Sequence, residues 1–293
     1  MRVAVFFAVA SILVSSISLE AWAEEPSAAD LIFRIDSLES QVAQQQAELN
    51  SFRAAVGQVP TGRSNEGRPG SVYGGYELTV LQPYFSDAGS GPGFDESVGL
   101  GHRFTFGLEK SCGVGVRARY WTYNHSLDGH DLYAGERLHI DMDSLDVDLT
   151  FRERFRRWDL LMSGGVRYGR NSYGSYAIFG PGEARFEGAG PTVAFEADRK
   201  IVCGGLRLIG NVRGSMLFGD VDYFEAPVED ELMTVLENQL GIGWSRCVWG
   251  TTLDVRAVWE SQFWLNNFFA DTLFGMGTNI GFTGPTVAFE LRR

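Results

Sequence analysis

From Val72 towards the C-terminus, apolar and polar residues alternate with period two in ten runs. They fall at about 72–85, 97–109, 112–124, 138–152, 158–170, 185–198, 201–218, 234–246, 249–264 and 277–291. Period two is the signature of a β-strand with two unlike faces. The intervals at 109–112, 153–157, 198–200 and 246–248 are short, whereas those at 86–96, 125–137, 171–184, 219–233 and 265–276 are long. An even number of antiparallel strands, with tight turns at one end and long loops at the other, predicts an all-β fold: an antiparallel transmembrane β-barrel.

A heptapeptide repeats within this pattern. Gly190-Pro191-Thr192-Val193-Ala194-Phe195-Glu196 returns as Gly284-Pro285-Thr286-Val287-Ala288-Phe289-Glu290, and a looser copy spans Gly99 to Glu109. Val193, Phe195, Val287 and Phe289 should face lipid, with Thr, Ala and Glu facing the lumen. The Gly-Pro step is expected where each strand enters the sheet, since proline has no N–H to donate.

The two faces differ in chemistry. One carries series such as Phe104/Phe106/Leu108, Val114/Val116/Ala118/Tyr120, Leu145/Val147/Leu149/Phe151 and Leu253/Val255/Ala257/Trp259. The other carries Arg103, Arg117, Arg119, Arg152, Arg167, Arg207, Arg213 and Arg256 against Glu77, Asp146, Asp148, Glu196, Glu237, Asp254, Glu260 and Glu290. Alternation alone does not say which face is outside. Strand lengths near ten residues and aromatic clusters at strand ends (Tyr120-Trp121, Trp158, Trp244, Trp249, Trp259 to Trp264) favour apolar residues towards lipid. The inward charges then have two readings: ladders that steer ions or small solutes through a pore, or salt bridges that fill a narrow barrel.

The first 23 residues read as an export signal. Arg2 precedes the apolar run Val3 to Val14, and Ala21-Trp22-Ala23 fits a small-x-small cleavage site. Residues 24–60 form the next segment, with an a/d seam of Leu31, Ile35, Leu38, Val42, Gln45, Leu49, Phe52 and Val56. A helix over 29–56 would be roughly 40 Å long. It is read as a coiled coil that makes a homo-oligomer; a helix lying against another surface, or a tether, is the alternative. Residues 61–71 are a linker and 72–293 the barrel.

Other features narrow the function. A net charge of −12 argues against nucleic acid as a partner. The three cysteines allow at most one internal bridge. Parity turns Cys203 and Cys247 inward on the neighbouring seventh and eighth strands, where a bridge would leave Cys112 over; incidental small residues are the other reading. The acidic stretch Asp220 to Glu231 is read as a solvated surface loop lending the mouth a negative field. The four histidines lack the ligand spacing of a metal centre, so no metal, cofactor or catalytic residue is assigned.

The second half of the chain resembles the Legionella-type major outer membrane protein family of pore-forming barrels. The resemblance is carried by Gly188-Ala189-Gly190-Pro191, by Gly204-Gly205-Leu206-Arg207-Leu208-Ile209-Gly210-Asn211-Val212 leading into Ser215-Met216-Leu217-Phe218-Gly219, by Leu240-Gly241-Ile242-Gly243-Trp244, and by the final Gly284-Pro285 strand. It implies an outer-membrane porin and assigns no active-site residue. The chain departs from the pattern in ending Glu290-Leu291-Arg292-Arg293, without a terminal aromatic.

The expected function is therefore a barrel in outer-membrane lipid passing small hydrophilic solutes or ions, with its N-terminal helix in the periplasm. The alternative is a non-conducting structural barrel anchoring a coiled coil that meets a cell-wall or envelope partner. A lipid-modifying enzyme is a third reading and would need a Ser/His/carboxylate cluster.

Overall fold

The computed structural model describes residues 70–85, 97–130, 134–174, 183–201, 204–223, 226–266 and 279–293, together with Gln44 and Asp95. The expected export segment and the heptad seam lie outside the described residues, as does Cys203.

Ten antiparallel strands form: β1 (Ser71–Phe85), β2 (Gly99–Glu109), β3 (Val114–Asp128), β4 (Arg137–Phe155), β5 (Trp158–Gly174), β6 (Glu183–Lys200), β7 (Leu206–Tyr223), β8 (Ala226–Val248), β9 (Thr251–Leu265) and β10 (Ile280–Arg292). Each pairs with its sequence neighbours, and β1 closes on β10. The closing register runs from Tyr73 opposite Arg292 to Phe85 opposite Ile280. Closure removes every sheet edge, the condition for a sheet to stand in lipid.

The apolar series faces outward, with Leu149 68%, Val193 65% and Leu240 64% exposed. Inward-facing Arg103, Arg167, Asp146 and Glu260 are at most 1% exposed. Apolar outside and charged inside is the arrangement of a barrel that spans a bilayer.

That polarity reverses within the strands. On β4, the outward Leu145, Val147 and Leu149 alternate with inward Asp146 and Asp148 towards the short-turn end. Towards the long-loop end, Leu138, Ile140 and Met142 point in and are fully buried, while His139, Asp141 and Asp143 lie on the outer face. The other strands of this wall do the same: on β7 Arg213 is inward but so, further along, are Leu217 and Val221, with Asp220 and Asp222 outside. Along β3 to β7 the wall is thus membrane-like towards the short turns and built like that of a water-soluble barrel towards the long loops, whereas β9 and β1 keep Phe263 and Tyr84 on the outer face there. Strand length agrees: the strands run from 11 to 23 residues, beyond the roughly ten that cross a bilayer.

Three expectations change. Trp121 and Trp264, expected in an interfacial aromatic belt, are inside at 2% and 0% exposure, because they fall on the inward parity of the loop half. Of the acidic stretch 220–231, residues 220–223 and 226–231 lie in strands rather than in a loop. Strands β7 and β8 continue to the pairs Val221–Val228 and Tyr223–Ala226 past an irregularity at Gly219, since Asp220 and Asp222 alternate with a buried Val221. The Gly-Pro steps lie within strands rather than at their entry. Pro191 pairs with Val166 on one side, but on the other the β6–β7 register skips from Ala189–Phe218 to Thr192–Ser215. Pro285 pairs with Trp259, and the β1–β10 register skips from Thr79–Thr286 to Gln82–Thr283.

At both steps the missing ladder bonds accompany a close approach. A Cβ on Gly190 would lie 1.8 Å from the Met216 carbonyl oxygen, and one on Gly284 2.0 Å from that of Val80. The outward Gly210 has nothing within 4 Å. Gly284→Ala is therefore expected to destabilise the folded barrel by about 1–3 kcal/mol, and Gly210→Ala by no more than about 0.5 kcal/mol. Urea titrations of the folded protein, followed by loss of heat-modifiable gel migration, check this pair.

Candidate functional site: the filled lumen

The charged half of the interior is one field of interlocking ion pairs. Asp146 accepts from Arg167 at 2.5 Å and from Arg119 at 2.9 Å, and Glu237 receives the same two arginines at 2.6 and 2.8 Å. Arg213 joins Asp148 at 2.7 Å and Asp146 at 3.6 Å. Arg117 connects Asp148, at 3.2 Å, with Glu196, at 2.5 Å. This cluster holds Arg117, Arg119, Arg167 and Arg213 against Asp146, Asp148, Glu196 and Glu237, so its charges cancel.

A second chain of pairs runs to the short-turn rim. Arg103 bridges Glu77 at 2.7 Å and Glu260 at 2.6 Å. Arg256 stands 3.6 Å from both Glu77 and Glu290. Arg292 links Glu290 to Glu109 at 3.1 and 2.7 Å, and Arg152 links Glu109 to Asp159 at 2.9 and 3.0 Å. Arg207 pairs with Asp198 at 2.6 Å and with Asp254. All sixteen inward charges proposed from the sequence are thus brought into the lumen and ion-paired there. Sequence reasoning did not assign Glu109, Asp159, Asp198 or Arg292 to this network.

Several pairs cross the barrel. Strands β3 and β8 stand five apart in either direction round the ring, so Arg119–Glu237 spans its full width. Arg117 reaches from β3 to β6, Arg103 from β2 to β9, and Arg213 from β7 to β4. The repeated heptapeptides contribute twice: Thr286 Oγ1 donates to Glu260 at 2.9 Å, and Thr192 Oγ1 accepts from Arg213 at 3.1 Å.

Above the charges lies an apolar storey that the sequence reading missed. Leu81, Tyr123, Leu138, Ile140, Met142, Leu217, Val235, Trp264 and Phe282 have no exposed surface. Trp121 stacks on Trp264 with centroids 6.2 Å apart, and Tyr123 meets Phe282 edge-on at 5.1 Å. Glutamines join the storeys: Trp264 Nε1 donates to Gln262 at 3.3 Å, Gln262 Nε2 to Glu260 at 2.7 Å, and Gln239 Nε2 to Glu260 at 2.8 Å. The available signal was parity, since Trp121 and Tyr123 continue the inward positions of Arg117 and Arg119.

Outside the lumen, Ser97 Oγ lies 2.8 Å from His125 Nε2 near the long-loop end. Asp128, close in sequence, is held by Arg137 at 2.9 Å. Among the described residues, no hydrogen bond joins His125 Nδ1 to a carboxylate. Cys112 and Cys247 are exposed free thiols; Cys247 sits opposite Thr252 beside the β8–β9 turn, and the bridge expected from it leads to a residue outside the described set.

No family model matches the chain, and no curated protein matches it. Among solved structures it is similar to the outer membrane protease OmpT from Escherichia coli, with a TM-score of 0.47, 10% identity, and 78% of this chain and 100% of that one covered. It is also similar to the translocator domain of autotransporter NalP from Neisseria meningitidis (0.45, 11%, 88% and 96%). The attachment invasion locus protein Ail of Yersinia pestis is a third (0.36, 8%, 77% and 100%).

Removing one member of a buried ion-pair network leaves an uncompensated charge, at a cost of about 3–5 kcal/mol. Glu237→Gln, which strips a charge partner from both Arg119 and Arg167, is expected to destabilise the barrel by that amount. Glu187→Gln on the exposed outer rim should change stability by less than about 1 kcal/mol. Equilibrium urea unfolding of the two variants side by side checks the contrast.

Proposed function

We propose that the chain is a non-conducting anchor: an outer-membrane barrel, closed through its lumen, that holds an N-terminal coiled-coil segment on the periplasmic side. The observation carrying this reading is the interior itself, bridged from wall to wall by Arg119–Glu237 and capped by a layer of fully buried side chains. An ion in transit would have to break pairs whose partners have no water to replace them, and then part a close-packed apolar layer.

The placement draws on independent features. The apolar outer face suits lipid, and the N-terminal 23 residues read as an export signal. Strand β1 starts beside the short turns, with Ser71 opposite Glu109, so the chain enters the barrel at the rim that faces the periplasm in such proteins. Their heptad seam supplies a surface for a second copy or an envelope partner. The porin function implied by the Legionella-type resemblance is the weaker reading, because it needs a passage where the side chains interlock.

Planar-bilayer recording decides between them: the mature, folded protein is expected to insert without conductance steps, and reproducible steps would overturn the anchor. Deleting residues 29–56 should leave the barrel heat-modifiable while making cells more sensitive to detergent. Unchanged sensitivity would separate the coil from any envelope role.

A further inference from the structure

We infer that the β4–β5 turn and the adjoining end of β6 form a docking patch for the phosphate headgroup of an anionic phospholipid in the leaflet at the short-turn rim. This rests on the membrane reading above. The two turn residues, Arg156 and Arg157, project between Phe155 and Trp158, and Arg199 and Lys200 end the neighbouring strand. The segments are held together, since the Lys200 N–H donates to the Arg157 carbonyl at 3.0 Å. All four cations are exposed, and among the described residues none of them is ion-paired. The neighbouring arginine Arg154 shares Asp159 with Arg152, at 3.3 Å, and Glu153 is the exposed carboxylate at the end of β4. Four unpaired cations beside one carboxylate is a sharp local excess in a chain whose net charge is −12.

The cations are set against apolar surface at the height of a headgroup. Phe155 is 57% and Trp158 38% exposed on the outer face, immediately below the lipid-facing Leu160 and Met162. The Arg156 guanidinium lies 5.3 Å from the Phe155 ring centroid and that of Arg199 5.3 Å from the Trp158 ring. Rings at the membrane boundary anchor a barrel there, and a guanidinium stacked on such a ring is positioned without losing its outward N–H donors. Arg156 also occupies a left-handed backbone conformation, φ 54°, where glycine or asparagine would be the cheaper residue. Juxtamembrane cations of this kind attract anionic headgroups additively.

The test uses the folded mature chain and native mass spectrometry, with phosphatidylglycerol and phosphatidylcholine as probes. The wild type is expected to retain phosphatidylglycerol preferentially. The variant Arg156→Gln/Arg157→Gln/Arg199→Gln/Lys200→Gln should lose that preference by about tenfold or more. A rim control, Lys110→Gln/Arg246→Gln/Arg293→Gln, should keep it. Equal retention by the fourfold variant overturns the inference and leaves these cations to an acidic soluble partner; equal loss in the rim control overturns it in favour of diffuse rim charge. Insertion into phosphatidylcholine vesicles, read as heat-modifiable migration, is scored separately. A wild type that fails to insert there overturns the membrane reading itself, whereas a fourfold variant that inserts but binds no phosphatidylglycerol supports the patch.

Discussion

A guanidinium inside a bilayer-spanning barrel has little water to fall back on, and the rest of this structure depends on how that constraint is met. Arg119, Arg167, Arg117 and Arg213 are each within ion-pair distance of two carboxylates or share one with a neighbour. The partners come from strands far apart round the ring, so the network ties opposite walls together rather than only neighbouring strands. A buried ion pair is not strongly stabilising in itself, because desolvation opposes the attraction. Its effect here is one of specificity: a register slip of one residue would turn these charges into lipid and the leucines into the lumen. The network therefore selects the pairing that the backbone ladder alone would leave degenerate.

Most of the membrane-facing architecture was legible in the sequence. The ten runs, their closure and the inward direction of all sixteen proposed charges follow from period two, because a strand has no other way to separate Leu145, Val147 and Leu149 from Asp146 and Asp148. What period two does not convey is a change of phase. On β4 the apolar parity moves from Leu138, Ile140 and Met142 to Leu145, Val147 and Leu149 across Asp143-Ser144. Averaged into one series, such a strand yields a single apolar face and the change of phase is lost. The same oversight placed Trp121 and Trp264 in a lipid interface and made a loop of Asp220 to Glu231. The ion-pair partners were less accessible still, since Arg119–Glu237 joins residues 118 apart in sequence and depends on barrel closure.

The phase change also explains why charged and apolar fillings coexist in one lumen. Where lipid surrounds the wall, outward residues must be apolar, and alternation then leaves polar positions to fill the interior. Where the wall stands in water, the outer face can carry Asp141, Asp143, Arg170 and Glu187, and the inward positions are released to make an ordinary hydrophobic core. The boundary is marked on the outside by tyrosines that hydrogen-bond upward to the first charged row: Tyr120 to Asp143 at 2.9 Å and Tyr168 to Glu187 at 2.6 Å. Inside, Gln239 and Gln262 sit at the same transition, offering amides to Glu260.

The repeated Gly-Pro-Thr-Val-Ala-Phe-Glu belongs to this transition. In each copy the threonine enters the ion-pair network, the valine and phenylalanine face lipid, and the Gly-Pro step sits one turn of the pleat closer to the loop end, where the ladder opens and the neighbouring strand presses in. Those openings fall at β6–β7 and β10–β1, dividing the ring into β1–β6 and β7–β10. The strands facing Gly190 and Gly284 bring Leu217 and Leu81 into the apolar storey, both with no exposed surface. A side chain at either glycine would hold that strand away and leave a gap in the core above. The repeat is thus a device for joining the two fillings: it lets the wall come inward at two places, just where the lumen passes from charge pairs to close-packed carbon.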